Sequence, residues 1–257
     1  MASRGFTLIE LVTSLVLLSI LAISVTSYIG FAARMVVDVS EREQLLGQSR
    51  FAIERLSREL RGAVPNSIRI DASGQCLEFT PFIASGRYLE APVSPDSAAA
   101  MQLATAVGFA AASGNERLVI YPRVPDDLYD ASRPHNVTLD GLDVSGAVAT
   151  ASFGSAHSFT QHSPERRFYL LAPPVSYCVQ GGQLRRYSDY GFFLQQPTTE
   201  LIGGALMAEG LNPVGASFTY DAPVLSRNAV VHIVLNFGAA ISEDLFFNHE
   251  VHLPNVP

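Results

Sequence analysis

Hydrophobic and polar positions change their spacing twice along this chain. From Leu11 to Ala33, between Glu10 and Arg34, 23 consecutive residues carry no charge. At about 1.5 Å per residue they would reach roughly 35 Å as a helix, enough to cross a hydrocarbon layer of about 30 Å. From Asp38 to Val64 the apolar positions thin to Leu45, Ala52, Leu56, Leu60 and Val64, the stripe of an amphipathic helix. Glu54 with Arg58 and Arg55 with Glu59 form i,i+4 pairs on the other side. Pro65 pushes the residue before it out of the α region, so the helix is expected to stop near Val64. One helix from Phe6 to Val64 would hold 59 residues and run about 88 Å, with Gly30 and Gly47 as its weak points. Its heptads are too short and irregular for a free-standing coiled coil.

Beyond Pro65 the period drops toward two. Ser67 to Ile70 and Gln75 to Thr80 read as strands around the turn Asp71-Ala72-Ser73-Gly74. Pro81 to Asn115, rich in Ala, Ser, Gly and Pro, reads as an irregular excursion with one short helix at Ala98 to Val107, followed by a strand at Leu118 to Tyr121. Arg167 to Leu171, Val175 to Val179 and Leu184 to Tyr187 are expected strands, the last two joined by a tight turn at Gly181-Gly182. Ala216 to Tyr220, Asn228 to Phe237 and Leu245 to Leu253 would complete an antiparallel sheet.

Composition narrows the classes. The 257 residues are 48% hydrophobic and 16% charged, too apolar for disorder, and the mean hydropathy is positive because of the N-terminal run. A net charge of −7 without a basic block argues against nucleic acid as a partner. Two cysteines are too few for a disulfide scaffold or a four-thiolate zinc site. A cleavable secretory signal fits poorly: the apolar run exceeds an h-region of roughly 7 to 15 residues, and no A-x-A-like site precedes Arg34. Glu10 within an apolar stretch is costly unless it is paired or reaches the interface.

Arg4-Gly5-Phe6-Thr7-Leu8-Ile9-Glu10-Leu11-Val12 resembles the class III signal of type IV prepilins and type II secretion pseudopilins. The resemblance implies an α+β fold, the pilin lollipop, with a long N-terminal helix whose first half spans the membrane, packed on a C-terminal antiparallel β-sheet head. It implies a leader at 1–5, a transmembrane or filament-core helix at 6–33, its continuation at 34–64 and a periplasmic head at 65–257. A membrane-embedded prepilin peptidase would cut after Gly5, and the new amino group of Phe6 would be N-methylated. The Glu10 carboxylate would meet the Phe6 amine of a neighbouring subunit and fix axial register at low dielectric; snorkelling to the cytoplasmic interface is the alternative. The implied partners are prepilin peptidase, other minor and major pilins, an inner-membrane assembly platform and the inner membrane itself. With Arg4 held in the cytoplasm, the remainder faces the periplasm.

Further stretches resemble the O-type minor pilins of mannose-sensitive haemagglutinin (MSHA) pilus systems. They are Gln44 to Phe51, Glu54 to Arg61, Ala63 to Ser67, Pro174 to Cys178 and Asn255-Val256-Pro257. The helical stretch also resembles J- or W-type minor pilins, and Ala84 to Gly114 resembles none of them. An oxidising periplasm and positions on strands lead to the expectation that Cys76 and Cys178 pair, with two buried free thiols as the alternative.

Chemistry is sparse. His249-Glu250-Val251-His252 is not H-E-x-x-H, and residues three apart in a strand face opposite sides. No G-x-S-x-G elbow, P-loop, Rossmann fingerprint or C-x-x-C occurs, so neither an enzyme nor a cofactor is expected. Asp126, Asp127 and Asp130 share a loop without the D-x-D-x-D-G order of a calcium loop and read as a solvated acidic loop. Asn136-Val137-Thr138 is a sequon of little weight beside a bacterial-type export signal. Tyr187 to Phe193 could form a contact patch, although packing under a hairpin is the better account.

Overall fold

The computed structural model describes residues 7–105, 116–224, 227–238 and 245–253. They divide into two compact units, Met1–Gly47 and Gln48–Pro257. Helix α1 (Leu8–Arg61) runs through Gly30 and Gly47 without a break. It stops three residues before Val64. Gly62 and Ala63 bond back to the carbonyls of Glu59 and Leu60, and the Val64 N–H is taken by the Thr80 carbonyl at 2.9 Å. The chain therefore leaves the helix to join a strand before Pro65 can act. Of the expected stripe, Ala52, Leu56 and Leu60 are fully buried, Leu45 is half-buried, and Val64 is buried just past the helix end.

The strands that follow are β1 (Arg69–Ile70), β2 (Cys76–Phe79), β3 (Phe82–Glu90), β4 (Ala98–Ala104) and β5 (Arg117–Val119). After the one-turn helix α2 (Asp126–Tyr129) come β6 (Asn136–Ser145), β7 (Val148–His157), β8 (Arg167–Leu171), β9 (Val175–Gln180) and β10 (Gln183–Tyr187). The last are β11 (Ala205–Glu209), β12 (Phe218–Asp221), β13 (Ala229–Phe237) and β14 (Leu245–Leu253). All pairings between these strands are antiparallel.

They form three assemblies in place of one sheet. A five-stranded sheet has the order β1-β2-β9-β10-β11, and a three-stranded sheet the order β12-β13-β14. The strands β3-β4-β7-β6-β5-β8 close into a barrel. The whole barrel lies in sequence between β2 and β9, which pair directly, Cys76 opposite Cys178 and Phe79 opposite Val175. A β-hairpin has in effect received a barrel in place of its turn.

This corrects the expectation for Pro81 to Asn115. Ala98 to Ala104 is a strand, with residues 106 and 107 outside the described ones. Alanine favours helix by only a few tenths of a kcal/mol per residue. Here Met101 and Leu103 point into the barrel core with Leu139, Ala151, Phe168 and Leu170, so barrel closure outweighs propensity. Gly86 is needed at the wall, since a Cβ there would stand 3.1 Å from the Phe168 ring. Strand β3, inside the stretch read as irregular, and strands β6, β7 and β11 were not legible beforehand. Gly181 and Gly182, at φ 57° and 75°, make the expected two-residue hairpin.

Alternation assigns the two faces of the five-stranded sheet. Leu77, Phe79, Tyr177, Leu184 and Arg186 lie on the side of α1, where Arg186 reaches Glu59 at 2.9 Å. Cys76, Glu78, Cys178 and Tyr187 lie on the other side, under Tyr190 and Leu201. The central strands β2 and β9 are buried on both faces as far as Val179, so the polar side chains Glu78 and Ser176 on one face are enclosed. The three-stranded sheet is tied to the first at Gly74, whose carbonyl accepts the N–H groups of Ser217 and Phe218.

Candidate functional site

The sequence points to the N-terminus first. Gly5 and Phe6, the expected processing positions, lie outside the described residues. The described chain opens on a helix start. Thr7 is the N-cap: its N–H and its hydroxyl both donate to Glu10 Oε2, at 3.2 and 2.9 Å, while the Glu10 N–H points back at Thr7 Oγ1 at 3.4 Å. This is a capping box, two of the orphaned groups of a helix end satisfied reciprocally. An apolar setting leaves Glu10 two choices, a cation or the interface. The T-x-x-E spacing was the signal for a third, and the carboxylate is held at the helix start where the dipole also favours it.

Around the axis the helix is apolar on every side from Leu11 to Ala33. Leu17, Leu18, Ile20 and Leu21 cover most of a turn and are 57 to 67% exposed. Its hydroxyls do not interrupt that surface. Thr13 donates to the Ile9 carbonyl, Ser14 to Glu10, Ser19 to Leu15, Ser24 to Ile20 and Thr26 to Ala22. Each of these five hydroxyls is thus satisfied within its own helix, as a segment without water around it requires. The helix is long and apolar enough to cross a membrane.

Within the C-terminal unit, Cys76 and Cys178 form a disulfide across directly opposed strand positions, with Cα atoms 4.1 Å apart and a sequence separation of 102. It closes the neck of the barrel insertion. Two ion-paired carboxylates flank it on opposite faces of the sheet. Glu59 accepts from Arg186 at 2.9 Å and Arg55 at 3.0 Å. Burial alone would raise its pKa, yet the two guanidiniums hold it below the ordinary value. Glu78 is fully buried with Arg69 and the Tyr190 hydroxyl, and there burial wins, raising its pKa. Arg69 also stacks on the Tyr129 ring at 3.7 Å and donates to the carbonyls of Phe193 and Leu194. Neither cluster was foreseen, although folding the hairpin about Asp71 to Gly74 would have set Arg69 opposite Glu78.

The remaining candidates are dispersed. Asp127 accepts the N–H groups of Arg123 and Val124 and lies 3.2 Å from His135 Nδ1. Asp126 faces Arg133, and Asp130 caps Ser132. The three carboxylates serve the local turn of α2, and among the described residues no group of three His, Cys, Asp or Glu is arranged to hold a metal ion. Burial keeps the His135 pKa low despite Asp127. His249 is half-buried while His252 faces outward beside Glu250, on opposite faces of β14. Asn136 is buried, its amide donating to the carbonyls of Asp127 and Asp130, which is unsuited to carrying a glycan. In the Tyr187 to Phe193 stretch, Tyr187 is buried and Phe192 lies under the Arg117 guanidinium. Only Phe193 presents a largely open ring, at 49% exposure.

Residues 1–26 match the family described as the prokaryotic N-terminal methylation motif. The chain thus carries a type IV pilin-like prepilin signal, on a long apolar helix followed by an antiparallel β unit. That combination fits membrane anchoring and processing by a prepilin peptidase. No curated protein and no solved structure matches the chain.

Proposed function

We propose that this chain is a minor pilin: a structural and assembly subunit of a type IV filament, of the MSHA type, that helps to initiate the pilus or to form its tip. The observation that carries the reading is the match of residues 1–26 to the methylation motif. In this reading prepilin peptidase removes residues 1–5 by cutting after Gly5, and Phe6 is N-methylated. Residues 6–33 anchor the subunit in the inner membrane and then enter the filament core, 34–64 continue the helix, and 65–257 form a periplasmic head. The all-round apolar surface of α1 supports this, since it needs lipid before assembly and neighbouring helices after it. Glu10 passes from its Thr7 cap to the Phe6 amine of a neighbour, exchanging one partner for another without being left bare.

The test is intact-mass and N-terminal peptide spectrometry on the membrane-extracted chain, without reductant. A chain that begins at N-methyl-Phe6 is the expected result; one that still begins at Met1 or Ala2 overturns it. Gly5→Ser should block cleavage, and Glu10→Ala should leave cleavage intact while reducing assembly.

A J-type minor pseudopilin of a type II secretion system shares these steps and is separated by deletion: loss of secretion with intact pili favours it. A second reading, a membrane-anchored periplasmic binding domain, draws on the closed barrel inserted in the sheet, a module beyond what an antiparallel head requires. It predicts full function in the Gly5 and Glu10 variants.

A further inference from the structure

A cavity of about 250 Å³ opens where the end of α1, strands β3 and β8 of the barrel and the three-stranded sheet meet. By volume it would hold roughly eight waters at about 30 Å³ each, room for a compact molecule. Two guanidiniums line it, Arg61 from the last turn of α1 and Arg167 from the start of β8. Arg61 is exposed and Arg167 half-buried.

Its charge is unusual for this chain. The sequence has 24 acidic residues against 17 basic ones, all of them arginine. Elsewhere in the same unit guanidiniums sit against carboxylates, as in Arg69 with Glu78, Arg87 with Glu165, Arg186 with Glu59 and Arg227 with Asp221. Among the described residues that line this cavity there is no carboxylate at all. Two positive residues that line a partly enclosed space whose wall holds no carboxylate make a site for an anion, and a planar guanidinium suits a planar carboxylate.

The rest of the wall gives the ligand a second property. Phe82, Leu253 and the rings of Tyr169 and Tyr220 make it mostly apolar. Both tyrosine hydroxyls are neutral at ordinary pH, a state that burial reinforces, and Tyr169 shares a hydrogen bond with Arg167. We infer that this cavity binds a small organic carboxylate, its acid group bridged between Arg61 and Arg167 and its apolar body against the aromatic wall. The site stands whether or not the chain enters a filament.

The test uses the full, disulfide-closed chain in detergent micelles, with 4-fluorobenzoate as the probe, 4-fluorobenzamide as its neutral counterpart and empty micelles as the blank. Fluorine line broadening should report saturable binding of the benzoate, at least about tenfold tighter than the amide. Arg61→Gln lies on an exposed helix end, with no fold to lose, and should weaken the benzoate about tenfold; Arg167→Gln should do the same. Absence of benzoate binding above the micelle blank would overturn the inference. So would equal binding of the amide, or unchanged affinity in Arg61→Gln.

Discussion

One helix contains two kinds of stability. In its first part, Leu8 to Val39, large apolar side chains are exposed on every side, while in its last turns Ala52, Leu56 and Leu60 have no exposure at all. The first part closes its own hydrogen bonds, through the Thr7 and Glu10 cap and five hydroxyls bonded to carbonyls three or four residues back. The last turns lean on a sheet through Glu59 and Arg186. A segment built to meet an apolar medium must be satisfied within itself. A segment built to meet a folded unit can be satisfied across an interface, and its sequence alone shows only the stripe.

The sharpest way to separate the two is to open the unit on which the last turns depend. Replacing both Cys76 and Cys178 by Ser removes the closure of 102 residues, worth up to about 4 to 5 kcal/mol in the chain-entropy model. Thermal unfolding of the C-terminal unit should fall sharply, with the helicity of the N-terminal part in micelles unchanged. Unchanged melting would show that the neck of the barrel insertion holds without its bond.

A smaller effect comes from cutting side chains on either part. Leu56→Ala should cost about 2 to 5 kcal/mol of unfolding free energy, because a fully buried leucine leaves a cavity. Leu18→Ala, at a position 66% exposed, should leave the melting of the C-terminal unit where it was. Equal losses would mean that the two parts of the helix are energetically one.

Smaller still is the ion pair. Arg186→Gln should cost about 1 to 2 kcal/mol near neutral pH, since Glu59 keeps Arg55. The effect carries a pH signature. A carboxylate whose folded pKa lies below its ordinary value of 4.5 adds stability above that value and loses it as pH falls through the folded one. The deficit of the variant should therefore shrink below about pH 4.5 in denaturant titrations. Glu78 slopes the other way: its raised pKa favours the folded state at low pH and loses that contribution as pH rises through the folded value. A deficit that stayed constant from pH 7 to pH 3 would show that Glu59 and Arg186 act by packing alone.

The long helix, its apolar run, the prepilin-type signal and the hairpins at Asp71 to Gly74 and Gly181-Gly182 were legible in sequence because their causes are local. An uncharged run, a cap and a pair of glycines each act within a few residues. The barrel was not legible. Ala98 to Ala104 has the composition of a helix and becomes a strand only because Met101 and Leu103 find partners on β6, β7 and β8, tens of residues away. For the same reason the tertiary structure alone decided that β2 and β9 enclose a barrel, that Glu59 meets Arg186 across 127 positions, and that Arg61 and Arg167 face one cavity. These contacts are rewarded only after a long loop has closed, a cost set by topology and one that no window of sequence contains.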